Sequence, residues 1–136
     1  MRTQVTFDCA DPHALAAFWA EVLGGEVEDH STFVNQLIAD GRMPDSDRII
    51  VNGRSAFREV AACRAEGEPR FYFQQVPEGK IAKNRMHVDI HVDEDRKTDE
   101  VDRLLGFGAE FLGSTSDRGP TTFMMRDPEG NEFDLH

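Results

Sequence analysis

Residues 87–92 read His-Val-Asp-Ile-His-Val, a strict alternation of ionisable and β-branched side chains. Successive side chains of a β-strand point to opposite faces, so His87, Asp89 and His91 share one face of the predicted strand. The β-branched face is suited to a packed core. Two imidazoles beside a carboxylate are suited to the wall of a polar cavity or to a metal site. The stretch therefore predicts a strand with one packing face and one chemical face.

The start of the chain repeats this pattern, because residues 4–9 read Gln-Val-Thr-Phe-Asp-Cys and alternate in the same phase. Each of the two strands is followed by a predicted helix. Asp11-Pro12 is a helix start and Gly24-Gly25 a helix stop, and acidic residues 93–95 open the second helix before Gly106 and Gly108 close it. The sequence thus predicts strand, helix and glycine stop twice.

Further strands are expected to complete each half. The candidates are 26–28, 48–51, 58–64 and 70–76 in the first half, and 110–112, 121–126 and 131–135 in the second. Residues 33–40 fit either a strand or a helix. Residues 127–131, Asp-Pro-Glu-Gly-Asn, predict a tight turn between the last two strands.

The length of the chain indicates the number of domains, and its net charge indicates which binding partners are disfavoured. The 136 residues are enough for one domain, and 26 acidic against 15 basic residues give a formal net charge of −11. Nucleic acid and anionic membranes are therefore poor candidates as partners. With no apolar run typical of a membrane span or signal peptide, we expect a cytoplasmic protein. Cys9 and Cys63 stand alone in the sequence and are predicted to be reduced, structural thiols.

These features together resemble the glyoxalase, bleomycin-resistance and ring-cleaving dioxygenase superfamily, which has the vicinal oxygen chelate fold. The resemblance rests on Asp11-Pro12, on Leu15–Trp19 and on the ending 127–133, and residues 72–77 and 83–89 are similar to its glyoxalase-like domain branch. It implies an α+β fold in which two paired βαβββ modules, 1–78 and 79–136 of a single domain, form an open cup from curled mixed sheets. A homodimer is also expected from the resemblance.

In that superfamily the metal ligands come from the first and last strands of each module. Carried over to this chain, the ligand positions are Gln4, Gln74, His87 and Asp134. Two amides, one imidazole and one carboxylate form a weaker site than two histidines and two carboxylates. The resemblance implies one divalent metal, such as Zn, Ni, Mn or Fe, or a hydrogen-bonding cup without metal.

Other polar residues are candidates for catalysis or substrate binding. His87 and Glu132 are the candidate catalytic groups, with His87 as ligand or general base, and a hydrogen-bonded structural histidine is the alternative. The candidate substrate-binding residues are Asp89, His91, Tyr72, Lys83 and Arg85. For Asp89 and His91 the alternative is a structural pair, for Tyr72 plain packing, and for the two basic residues a salt-bridged connector.

Two main functions follow from this reading. The first is a glyoxalase-like domain that binds a small polar or aromatic molecule and carries out metal-assisted isomerase, lyase or dioxygenase chemistry. The alternative is a non-catalytic binding or sequestering protein of the bleomycin-resistance type, which needs no metal. An acidic interaction module with a vestigial cup is a third class.

Overall fold

The computed structural model describes residues 1–136, which divide into two compact units, Met1–Pro77 and Glu78–His136. The first unit contains β1 (Gln4–Cys9), α1 (Pro12–Leu23), β2 (Glu26–Val27), α2 (Ser31–Ala39), β3 (Arg48–Val51), β4 (Arg54–Phe57), β5 (Val60–Arg64) and β6 (Arg70–Gln75). The second contains β7 (Val88–Ile90), α3 (Lys97–Gly106), β8 (Glu110–Thr115), β9 (Thr122–Arg126) and β10 (Glu132–Leu135). No helix has the length and apolar character needed to cross a membrane.

Each unit is built on a four-stranded mixed sheet. The strand orders are β1-β6-β5-β2 and β7-β10-β9-β8, so in both units the first strand pairs in parallel with the last. The other pairings in the two sheets are antiparallel. Both sheets keep two edge strands and do not close into a barrel. The predicted α+β class and the duplicated βαβββ pattern are confirmed.

Helix α1 starts and stops where the sequence predicts. The side chain of Asp11 accepts hydrogen bonds from the backbone amides of His13 and Ala14, and Pro12 occupies the first helical position. Gly24 ends the helix in the left-handed region, at φ +63°. A residue with a β-carbon would be strained there, which is why glycine terminates the helix.

The core of the first unit is aromatic and lies between α1 and the sheet. Trp19 is fully buried, and its ring centroid lies 5.2 Å from those of Phe7 and Phe71. Cys9 and Cys63 are buried and form no disulfide, in agreement with the predicted reduced, structural thiols. Burial raises the pKa of the Cys63 thiol to about 12, which keeps it protonated and unreactive at neutral pH.

An insertion separates β2 from β5 in the first unit. It consists of α2 and the β3–β4 hairpin, so the ambiguous segment 33–40 is largely helical. Strand β4 was not predicted. The hairpin turns at Asn52-Gly53, where φ is +49° and +77°, and an Asn-Gly pair is the strongest short-range signal for such a turn.

In the second unit, the turn before β10 is held by one carboxylate. The buried Asp127 accepts hydrogen bonds from the backbone amides of Glu129 and Asn131, and Gly130 adopts φ +84°. The predicted turn is therefore present. In α3, Val101 and Leu104 are buried, whereas Leu105 is 41% exposed.

Candidate metal centre

Three ionisable side chains of the second unit converge on one point. The Nδ1 atom of His87 lies 3.1 Å from an Asp89 carboxylate oxygen and 3.7 Å from an Asp134 carboxylate oxygen. One ligand atom from each of the three residues lies within 4.8 Å of the other two. The side chain of Asp134 is 22% exposed, so solvent reaches the cluster without surrounding it. We call these three residues the triad.

Backbone register explains why the triad forms. His87 directly precedes β7 and lies two residues before Asp89, so the alternation of a strand puts both side chains on one face. Strands β7 and β10 pair in parallel with Asp134 opposite Asp89. The third member of the triad thus lies on the last strand of the unit, the strand from which the resemblance implies a ligand.

The polar face continues beyond the triad. His136 Nε2 lies 3.6 Å from the second oxygen of Asp89, and its Nδ1 lies 3.2 Å from the Thr122 hydroxyl. The rings of His91 and His136 are 5.4 Å apart. Asp89 thus lies between His87 and His136. The sequence placed His87, Asp89 and His91 on one face, but it gave Asp89 a substrate-binding role, whereas the structure places it within the triad.

The donor set of the triad fits a divalent transition metal. Neutral imidazole suits Zn, Fe and Ni, and carboxylate oxygens suit Mn as well as these ions. Three protein ligands leave further coordination positions for water or a bound molecule, the pattern of catalytic rather than structural metal sites. The triad contains two carboxylates, and a bound cation would offset their mutual repulsion.

A pocket of about 700 Å³ adjoins the triad, with Asp134 in its wall. His91, Thr122 and His136 line it beside Asp134, and Lys97 and Arg118 supply positive charge. Lys97 is only 3% exposed; its Nζ donates to Glu94 and, at 3.0 Å, to the carbonyl oxygen of Thr121. Glu94, Asp117 and Asp134 contribute negative charge to the same wall, so the pocket is large enough for a small molecule and is lined by charges of both signs.

The register of the first unit separates the two glutamines that were predicted as ligands. Gln4 lies opposite Arg70 and Gln74 lies opposite Asp8, four positions further along the same pair of strands. Four residues of strand span about 13 Å. Each amide also has a partner, since Gln4 accepts from Arg70 at 2.6 Å and Gln74 donates to Asp8 at 2.7 Å. The two glutamines do not converge, and of the predicted ligands only His87 and Asp134 enter the triad.

Glu132, predicted as a general base, is held by cations and an amide. It accepts from the backbone N–H of Asn84 at 3.0 Å and from Lys80 at 3.1 Å, and Arg126 lies 3.7 Å away. Burial alone would raise the pKa of Glu132, but the hydrogen bonds from Asn84 and Lys80 outweigh it and lower the pKa to about 2. A carboxylate with so low a pKa is a weak base at neutral pH, so the geometry gives Glu132 a structural role.

Three further residues were predicted to bind substrate. Tyr72, on β6 of the first unit, lies under the guanidinium of Arg70, at 5.2 Å from ring centroid to Cζ. Lys83 and Arg85 are exposed in the segment before β7. Neither of these two cations belongs to the triad.

A second buried carboxylate, missed in the sequence, organises the first unit. Glu28 accepts hydrogen bonds from Arg70, Arg64 and His30, and its side chain is 10% exposed. The hydrogen bond from Arg70 contributes most to lowering its pKa, with further help from Arg64 and His30; burial opposes them, and the result is about 2. No local spacing signals this cluster, because its members are 36 and 42 residues apart from Glu28.

The low pKa of Glu28 predicts a loss of stability in acid. Its pKa is 4.5 when unperturbed and about 2 in the fold, so its contribution is complete above pH 4.5 and is lost as pH falls towards 2. The contribution at neutral pH is about 3 kcal/mol. Urea unfolding at several pH values should show Glu28→Gln to be less stable at neutral pH and less sensitive to acid than the unmodified chain. An equal dependence of the free energy of unfolding on pH in both proteins would contradict this. Glu132→Gln provides the parallel measurement in the second unit.

Comparison with known proteins agrees with this fold. The family model described as "Glyoxalase-like domain" matches residues 4–136. No curated protein matches the chain by sequence.

Three solved structures illustrate the likeness in fold. A glyoxalase/bleomycin resistance protein/dioxygenase family enzyme from Burkholderia phytofirmans has a TM-score of 0.65 at 14% identity, covering 97% of this chain and 94% of its own. A variant of the fosfomycin resistance protein FosX from Listeria monocytogenes, complexed with Mn(II) and 1S,2S-dihydroxypropylphosphonic acid, has a TM-score of 0.63 at 12% identity, covering 100% and 88%. The oxidase ChaP-H2 has a TM-score of 0.62 at 13% identity, covering 99% and 91%. At these identities the likeness shows the fold alone.

Proposed function

The chain belongs to the glyoxalase-like domain family, and from that premise we propose that its second unit binds a divalent cation and presents it to a small anionic molecule. The observation that carries the proposal is the convergence of His87, Asp89 and Asp134 at the edge of a pocket. Asp134 belongs to both the triad and the pocket wall. A molecule in that pocket would therefore lie beside the cation.

In this proposal the triad binds the metal and the pocket binds the small molecule. When bound, a divalent metal supplies Lewis-acid polarisation of an oxygen substituent on the bound molecule. Lys97 and Arg118 in the pocket wall would bind and orient its anionic group. His91 lines the same pocket without joining the triad, and its ring is the candidate to accept or return a proton. These roles fit isomerase or lyase chemistry on an oxygen-rich acid.

A non-catalytic binding protein is the second candidate. It is favoured by the exposure of the triad, because the side chains of His87 and Asp89 are 37% and 47% exposed and exposed acidic groups are common without a metal ion. In this case the pocket would hold its molecule through Lys97 and Arg118 alone. The two candidates differ in whether binding needs a metal.

Calorimetry with a matched pair of probes distinguishes them. The probes are 1,2-dihydroxypropylphosphonate, which carries vicinal oxygens and an anionic group, and uncharged propane-1,2-diol. The proposed function predicts that the Mn(II)-loaded chain binds the phosphonate more tightly than the diol, and that Asp134→Asn removes the metal-dependent part. Equal phosphonate binding by metal-free and Mn(II)-loaded protein would favour the binding protein. Failure to bind Mn(II) would overturn the metal-dependent function.

A further inference from the structure

We propose that the first unit carries a separate binding site for a small anion with a carboxylate or phosphate group. The site is a pocket of about 940 Å³ formed where β1 and β6 begin and β5 ends. Three arginines line it, Arg2, Arg64 and Arg70. None of them belongs to the triad or to the pocket beside it, so this site stands independently of the function proposed above.

Two of the three arginines are held in place by Glu28. Arg70 forms a two-point contact with that carboxylate, with Nε at 2.9 Å and Nη2 at 2.7 Å, and its Nη1 donates to Gln4. Arg64 donates from Nε to the same carboxylate at 2.7 Å. The side chain of Glu28 is 10% exposed, so the anchor lies behind the pocket surface. Fixing the guanidinium groups in advance reduces the entropy that a ligand must overcome on binding.

Charge counting shows that the pocket keeps an excess of positive charge. Glu28 carries one negative charge against the two positive charges of Arg64 and Arg70, and Arg2 adds a third. Glu68, the one acidic residue in the pocket wall, brings the balance to three positive and two negative charges, a net charge of +1. The pocket is thus positive in a chain whose net charge is −11. It attracts anions locally although the whole protein repels them.

Unfilled hydrogen-bond donors give the pocket its chemistry. A guanidinium has five N–H groups. In Arg70, the contacts with Glu28 and Gln4 engage all three nitrogens. In Arg64, the contacts with Glu28 engage Nε and Nη2, so the Nη1 group of Arg64 is left for a ligand. Charged N–H donors of this kind, from Arg64 Nη1 and from the guanidinium of Arg2, match the oxygens of carboxylates and phosphates.

The register of the two sheets supports an anion site in this position. In the second unit Asp134 lies opposite Asp89, and extending the same register by one residue sets Glu132 opposite His87. The corresponding pairs of the first unit are Tyr72 opposite Thr6 and Arg70 opposite Gln4. The position of Glu132 in the second unit is thus occupied by Arg70 in the first, and the position of Asp134 by Tyr72, which lies beneath that arginine. Matching positions of the two sheets therefore carry acidic residues in the second unit, and an arginine and a tyrosine in the first.

The test is a pair of NMR titrations of the full, metal-stripped chain at constant ionic strength, one with inorganic phosphate and one with succinate. We expect saturable shifts of backbone amides in segments 2–4 and 64–70. Replacing both Arg2 and Arg64 with glutamine should weaken binding at least about tenfold, because each removes a charged hydrogen-bond donor. Arg70 is left intact because its two-point contact, with Nε at 2.9 Å and Nη2 at 2.7 Å, holds both oxygens of Glu28, whereas Arg64 contacts one of them. Arg42→Gln, an exposed arginine outside the pocket lining, is the matched control and should bind as the unmodified chain does.

The outcomes separate clearly. Saturation by phosphate, by succinate or by both supports the site and identifies the anion it takes. The site is overturned by shifts that never saturate, by shifts centred on Lys97 and Arg118, or by equal affinity in the double variant. An unchanged amide spectrum away from the pocket shows that the double variant folds, and Arg64→Lys, which keeps the charge without the fork, should be intermediate. The His87→Ala chain should bind the anion normally, whatever its metal affinity.

Discussion

Replacing His87 with alanine is expected to weaken the binding of Mn(II) or Zn(II) more than about 100-fold. The triad offers one imidazole and two carboxylates, and removing the imidazole leaves two acids that hold an exposed cation weakly. Loss of an outer partner of a metal ligand already costs about 10- to 100-fold in affinity, so loss of a direct ligand should cost more. Calorimetric titration of metal-stripped protein measures the change.

The control for this prediction is His91→Ala. His91 shares the same face but lies outside the triad, so its removal should leave metal affinity within about threefold of the unmodified chain. His87 is 37% exposed, and its loss should have little effect on folding. Equal loss of affinity in the two variants, or none in His87→Ala, would show that the triad is not the metal centre.

Replacing Trp19 with alanine is expected to lower the free energy of unfolding of the first unit by about 4 kcal/mol. The side chain is fully buried and contacts the rings of Phe7, Phe18 and Phe71, so its removal leaves a large cavity among aromatic groups. Domains of this size are stable by about 5–15 kcal/mol, so the loss would be a large fraction of the total.

Trp19 is the only tryptophan in the chain, so unfolding of this variant must be followed by circular dichroism or amide exchange. Trp19→Phe keeps an aromatic ring in the core and should cost about 1–2 kcal/mol. Amide exchange should also show the loss concentrated in Met1–Pro77. A loss below about 1 kcal/mol for Trp19→Ala would mean that the aromatic core is not the main support of this unit.

Local patterns in the sequence predicted much of the fold. The alternation in residues 87–92 and 4–9 placed the polar faces, and the Asp11 cap, the Gly24 stop and the Asp127 turn are where those residue types predict them. Each of these signals acts over a few residues, where chain geometry leaves little choice. The helix at 31–39 was ambiguous because its apolar residues fit both periods.

The candidate site was predicted less completely, because its composition depends on contacts between distant residues. The resemblance grouped Gln4 with Gln74, which lie four positions apart on paired strands, and the register of a parallel strand pair cannot be read from either strand alone. The partners of Glu132, at Lys80 and Asn84, come from the segment before β7. Asp89 was on the correct face from the start, and only the position of Asp134 opposite it showed that the two carboxylates meet.

The central claim is that His87, Asp89 and Asp134 bind one divalent cation. The most direct measurement is a crystal structure of the chain grown with Mn(II), with anomalous diffraction used to locate the ion. The account predicts a manganese peak within coordination distance of His87 and of carboxylate oxygens from Asp89 and Asp134. A well-ordered triad without a peak, or a main peak at other residues, would contradict it.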